Sequence, residues 1–230
     1  MEALNTYKRG QVEEALWSHF APNTPSGAPP AKLRTRIKRL IDIDRDTAKI
    51  NKGATSSLAF NDGGGGGPGV DTYYTAFDAF CLALGLELLD AGFKQSEVVF
   101  LLQHERARLR REYGRMRDEG VGTNELLSPK DHPALPIHKY KDAHYADPRV
   151  FMVTAKVEMV EVFETFAKQR KNKAPVMFEP IYCHGIAALS DTLSDLCESQ
   201  RKAFVLELTQ TAIGVTALLE KTEPTRRGPK

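Results

Sequence analysis

The side chains of this chain best suited to chemistry are cationic, and they fall in two runs. Between Lys32 and Lys52, eight basic residues (Lys32, Arg34, Arg36, Lys38, Arg39, Arg45, Lys49, Lys52) stand against Asp42, Asp44 and Asp46, an excess of five. Between His104 and Arg117, six arginines (Arg106, Arg108, Arg110, Arg111, Arg115, Arg117) stand against Glu105 and Glu112, an excess of four. Such density suits phosphate oxygens, and arginine also reads guanine edges through paired hydrogen bonds. A merely solvated helix face mixes signs to gain pairs one turn apart, whereas nearly every charge on the outer face from 32 to 39 is positive. The candidate DNA contacts are therefore Lys32, Arg34, Thr35, Arg36, Lys38, Arg39 and Arg45, joined by Arg108 and Arg111. The arginines from 106 to 117 are expected to meet backbone phosphates.

Nothing else assembles into an active site. Cys183 and His184 are neighbours in an expected strand, so their side chains point to opposite faces and form no direct dyad. Glu158 and Glu161 read as solvated surface acids. Glu207, between Leu206 and Leu208, must face solvent, find a partner or sit at an interface, and solvent or an interface is expected. His132, His138 and His144, with Asp131, Asp142 and Asp147 nearby, have a spacing that matches no common ligand motif, so no metal site is assigned. The glycine run at 63–67 lacks the GK[ST] or GxGxxG context of a phosphate cradle. No catalytic residue and no cofactor is expected. Cys81, Cys183 and Cys197 make no CxxC pair and leave an odd thiol, which argues against a zinc ribbon or disulfide framework and fits a reducing compartment.

The elements that must position the basic residues are mostly helical. A net charge of +2 excludes a bulk polycation but not a local basic face. With 230 residues and 41% apolar content, two domains with ordinary cores are expected. Thr6 is the expected N-cap of a helix over 6–20, with Val12, Ala15, Leu16, His19 and Phe20 on one face. His19 reads as a core or boundary histidine without a functional role. APNTPSGAPP at 21–30 is a loop, because its prolines remove donors and fix backbone angles. A basic helix follows from Ala31 to Arg45, with Leu33, Ile37, Leu40 and Ile41 as its apolar edge. Residues 57–73 read as a flexible hairpin, with Ser57–Phe60 and Val70–Tyr73 as arms around the glycine-rich tip. Two helices follow, joined by a turn at Ala91-Gly92-Phe93. The first buries Phe77, Phe80, Cys81, Leu84, Leu88 and Ala91; the second keeps Val98, Leu102, Leu109, Tyr113 and Met116 on one stripe and Arg108, Arg111 and Arg115 on another.

Helix, loop, basic helix, hairpin and helix pair follow one another as in a winged helix. In this half the chain resembles the DNA-binding head of the MerR family, through YKRGQV at 7–12, the basic second helix, and YYTAFDAFCLALGLELLDAGFKQSEVVFLL at 73–102. Gly92-Phe93-Lys94-Gln95-Ser96-Glu97-Val98 matches the family's pattern of a Gly-Phe turn and an acid-containing helix cap. The chain departs from that pattern in the long, proline-rich first connection and in a wing tip of glycines where a basic residue would help grip the backbone. The resemblance covers about the first half and implies a winged helix-turn-helix fold, double-stranded DNA as ligand, a recognition helix at 31–45 in the major groove, and a homodimer on a two-fold site.

After a proline-rich connection, strands are expected at 151–159, with one buried face, at 176–183 and at 203–208. Helices are expected after Val160, from Gly185 (Ile186, Leu189, Leu193, Leu196) and around Ile213, Val215, Leu218 and Leu219. The expected organisation is α+β: a mainly helical winged domain at 1–118, a linker at 119–149, a small α/β dimerisation or sensor domain at 150–222, and a disordered tail at 223–230. The expected protein is a dimeric, non-enzymatic transcriptional regulator, cytoplasmic and nucleoid-associated, with no membrane contact. The alternative is a protein-interaction or ligand-sensing module that does not touch DNA and has a protein partner instead.

Overall fold

The computed structural model describes residues 5–23, 28–50, 58–61, 72–118, 147, 149–154, 179–199 and 203–223. The glycine-rich tip, the linker histidines, Glu158, Glu161 and the expected helix after Val160 lie outside the described residues. The described residues form six helices and two small antiparallel sheets, so the chain is a mixed α+β protein. They divide into two compact units, residues 1–111 with 211–230, and residues 112–210. The expected linear domains at 1–118 and 150–222 do not anticipate that most of the last helix groups with the first unit.

The first unit starts with β1 (Tyr7–Lys8), which pairs antiparallel with β2 (Tyr73–Tyr74), Tyr7 opposite Tyr74 and Lys8 opposite Tyr73. This pairing changes two expectations. The first helix, α1 (Arg9–Phe20), begins three residues after Thr6, and its entry is closed by Gln11, whose Oε1 accepts the Lys8 N–H at 3.0 Å. Tyr73 takes its partner from the N-terminus, not from the 57–60 arm. The N–H groups of Ala59 and Phe60 are instead given to the carboxylate of Asp44. On α1, Val12, Ala15 and Leu16 are buried as their spacing predicts, while Phe20 is exposed.

Helix α2 (Ala31–Ile50) is longer than expected and buries Ile37, Leu40 and Ile41. Helix α3 (Ala76–Asp90) is capped reciprocally: Thr75 Oγ1 accepts the Asp78 N–H at 3.1 Å, and Asp78 Oδ2 accepts the Thr75 N–H at 2.8 Å. Eleven of its fifteen residues are buried, so α3 runs through the middle of the unit and is not a one-faced surface helix. Each fully buried Leu or Phe there contributes about 1.5–3 kcal/mol of transfer free energy.

The turn after α3 is built as its residues predict. Gly92 takes a left-handed φ of 87°, its N–H reaches Leu89 O at 3.1 Å and the Phe93 N–H reaches Leu88 O at 3.0 Å, a Schellman ending that favours glycine. Helix α4 (Gln95–Asp118) then starts with Glu97 Oε2 accepting the Lys94 N–H at 2.8 Å. Its predicted stripe of Val98, Leu102, Leu109, Tyr113 and Met116 is buried throughout.

In the second unit, β3 (Val150–Thr154) lies between β4 (Ile181–His184) and β5 (Phe204–Glu207), antiparallel to both. All five β3 residues are buried, where alternation suggested one buried face, because the middle strand is covered on both sides. Phe151, Val153 and Cys183 pack with Leu189 of α5 (Gly185–Ser199) on one of them. Gly185 adopts a φ of 83° and donates its N–H to Arg149 O at 2.7 Å, while Asp147 Oδ2 accepts the Ile186 N–H at 2.9 Å and so caps α5. Solvent or an interface is expected for Glu207 from the sequence; within the chain it is half-buried and finds a partner in the next helix. Its carboxylate accepts the N–H groups of Thr209 at 2.9 Å and Gln210 at 2.8 Å, capping α6 (Leu208–Lys221), so Leu208 opens a helix and does not end a strand.

Candidate nucleic-acid interface

Helix α2 is amphipathic with a polar insertion in its buried edge. Ile37, Leu40, Ile41 and Asp44 recur at helical spacing, and all four are buried. Leu40 meets α3 where Gly85 leaves room: a Cβ on Gly85 would stand 3.2 Å from Leu40 Cδ1 and 3.3 Å from Phe60 Cε1. Asp44 Oδ1 accepts from Ala59 N at 2.9 Å and from Gln103 Nε2 at 2.7 Å, and Oδ2 accepts from Phe60 N at 3.1 Å. Burial pushes its pKa up; the hydrogen bonds from Ala59, Gln103 and Phe60 and the charge of Arg106 pull the other way without cancelling it.

With that edge anchored, Lys32, Arg34, Thr35, Lys38 and Arg39 are exposed on the outer side of one helix. Thr35 Oγ1 donates to Ala31 O at 2.8 Å and is occupied by its own helix. Arg36 is half-buried and paired with Asp90. Arg45 is half-buried, with Nη2 donating to Thr72 Oγ1 at 3.1 Å. Beyond Arg39 the exposed charges change sign at Asp42 and Asp46. Among the side chains of α2 described, the exposed cations thus end at Arg39, six residues before the end of the expected 31–45 span. Arg9 extends it at the other end: Nη2 lies 3.4 Å from Arg34 O while Nε pairs with Glu13 at 2.7 Å.

The arginines of α4 divide by environment. Arg111 is exposed and Arg108 half-buried. Arg106 is only 4% exposed and does not belong to a phosphate grip. Its guanidinium donates to Asp78 Oδ1 and to the Ala59 carbonyl, and lies 4.9 Å from the centre of the Phe77 ring. Arg110, though exposed, places its guanidinium 4.4 Å from the same ring. Farther along, within the second unit, Arg115 Nη1 is 3.1 Å from His184 Nδ1, and His184 Nε2 is 2.9 Å from Glu112 Oε2. Cys183 is buried and His184 exposed, opposite sides of β4 as their adjacency requires.

The structure gathers five of the nine predicted contacts on one face of α2, turns Arg36 and Arg45 toward partners, and carries Arg108 and Arg111 on a different helix. The Asp44–Gln103 and Asp78–Arg106 groups were missed, although a signal was available. Asp44 follows Ile37, Leu40 and Ile41 at the next inward position, and Arg106 lies between Leu102 and Leu109 on the buried stripe of α4.

Among the described residues no group of three His, Cys, Asp or Glu side chains is placed to hold a metal ion. No helix among them is long and apolar enough to cross a membrane. Comparison of the chain with protein families, with curated proteins and with solved structures gave no match.

Proposed function

We propose that this chain is a sequence-specific transcriptional regulator that binds double-stranded DNA through a MerR-like winged helix-turn-helix head and acts as a homodimer without enzymatic activity. One observation carries the reading: Lys32, Arg34, Lys38 and Arg39 stand exposed across the outer side of a helix whose opposite edge is firmly seated. A helix so anchored presents its cations as a rigid set, which is what base reading in the major groove needs. Arg36 and Arg45 support the helix, Arg108 and Arg111 add phosphate contacts, and the sign change at Asp42 limits the reading segment to residues 32–39.

The test is binding of the full chain to a mixed-sequence duplex at several salt concentrations. Affinity should fall steeply with salt, Arg111→Ala should reduce the log–log slope by about 1, and Arg34→Ala should broaden the set of sequences enriched from a duplex library. Absence of any salt-sensitive binding by the wild type would sink the reading.

A second reading, a protein-binding module, is favoured by a shallow open groove in the first unit lined by Ile43, Leu89 and Phe93 with Arg36, Lys94, Gln95 and Ser96. Co-purification of a stoichiometric partner by a chain that ignores DNA would select it.

A further inference from the structure

The interior of the first unit holds a polar network beneath α2 that hydrophobic packing alone does not require. The segment 58–61 is held on both polar sides of its backbone. Its Ala59 and Phe60 N–H groups are given to Asp44 of α2, and the Ala59 carbonyl accepts from Arg106 of α4. Gln103 of α4 ties the Asp44 carboxylate from the other direction at 2.7 Å, and Asp78 of α3 balances Arg106. The Phe60 ring sits against Gly85, and Asn61 Nδ2 donates to Tyr73 O at 3.0 Å. Side chains from two helices therefore hold a four-residue piece of backbone, and a third helix supplies the acid that balances one of them.

Burying Asp44, Asp78 and Arg106 gains little net stability, since desolvating charges offsets most of their attraction; an apolar edge would hold α2 about as strongly. What charged hydrogen bonds add is direction. Apolar contacts tolerate a slide or roll of a helix, because burial is non-directional. The three donors on Asp44 do not, because a roll of α2 breaks them together and strands a buried carboxylate. We infer that Asp44, Gln103 and Arg106 are positioning residues for DNA reading: they fix the roll and register of α2, so that Arg34, Lys38 and Arg39 meet base edges in one orientation. This rests on the DNA-binding reading and adds to it a set of residues that never touch DNA.

The test uses the full chain with Gln103→Met, which keeps side-chain volume while removing one donor to Asp44, and Asp44→Asn as a stronger variant. Each is measured on two probes, the duplex most enriched by the wild type from a library with a randomised centre, and a mixed-sequence duplex. The expected result is a roughly tenfold loss in the ratio of the two affinities, the loss of about one good base contact. Affinity for the mixed-sequence duplex and its salt slope should stay within about twofold of wild type, because phosphate contacts tolerate small rolls. An unchanged ratio for Gln103→Met in a folded chain overturns the inference, and so does an equal fall on both probes, which is what a merely structural role produces. If the wild type enriches no sequence and binds neither duplex, the DNA reading fails and takes this inference with it. Wild-type selectivity that survives both substitutions removes the inference alone.

Discussion

His19 shows how a single residue's environment becomes measurable. It is half-buried, and a Cβ on Gly214 of α6 would come within 3.1 Å of its Nδ1. Burial holds its pKa below the ordinary histidine value, so the folded chain resists a proton that the unfolded chain accepts. Stability from this residue is therefore complete above the unfolded pKa and is lost as pH falls through about 6.5 toward the folded value. Asp44 and Glu207, whose pKa values burial raises, contribute with the opposite sign, so the clean observable is a difference. Urea midpoints at pH 7.5 and 5.5 should drop more for the wild type than for His19→Gln; equal drops would show that His19 does not titrate with folding. Gly185 offers a second check. With φ at 83° and Asp147 O only 3.2 Å from where a Cβ would lie, Gly185→Ala should destabilise the second unit by about 1–3 kcal/mol in denaturant melts.

At the scale of elements, the proposed function turns on α2. Its sequence announces a basic helix, but the face that carries the charge is set by what the other face touches. Ile37, Leu40, Ile41 and Asp44 point inward, which leaves Lys32, Arg34, Lys38 and Arg39 outward, and Asp42 and Asp46 beyond them. If this surface meets DNA, Asp42 repels the phosphates flanking it. Asp42→Asn should then tighten binding to a mixed-sequence duplex by roughly twofold to fivefold at low salt and leave the enriched sequence unchanged, the modest effect of one exposed charge. Weaker or unaltered binding in a gel-shift titration would place Asp42 away from the DNA. The turn and the main stripes of the helix pair α3–α4 were legible, though not the burial of α3 on nearly every side or of Arg106. Two apolar stripes at helical spacing, a glycine able to take positive φ and an acid at the third position of α4 are local signals, and local hydrogen bonds satisfy them.

At the scale of the whole molecule, the C-terminal helix is where linear reading was least informative. Residues 211–221 of α6 group with the first unit, Gln11 Nε2 donates to Thr222 O at 3.2 Å, and Val215 and Leu219 are fully buried. Truncation after Gln210 should therefore raise hydrogen exchange in α1 relative to the full chain, as buried positions of the first unit lose their cover. Unchanged protection of α1 would mean that the first unit closes without this helix. An isolated 1–118 piece, natural from the linear boundaries, lacks that segment and should melt below the corresponding unit of the full chain.

The sequence by itself determined the α+β character, the amphipathic helices, the Gly-Phe turn, the opposite facing of Cys183 and His184, and the two basic runs. Each of these depends on neighbours within a turn or two, where periodicity and backbone preference speak directly. Only the tertiary structure decided that Tyr7–Lys8 pairs with Tyr73–Tyr74, that Arg106 is a buried partner of Asp78, that Glu207 caps α6, and which cations of α2 stand free of its supports. Two-residue strands sixty-six residues apart carry no period to detect, and the fate of a charged side chain depends on which distant backbone groups arrive to meet it.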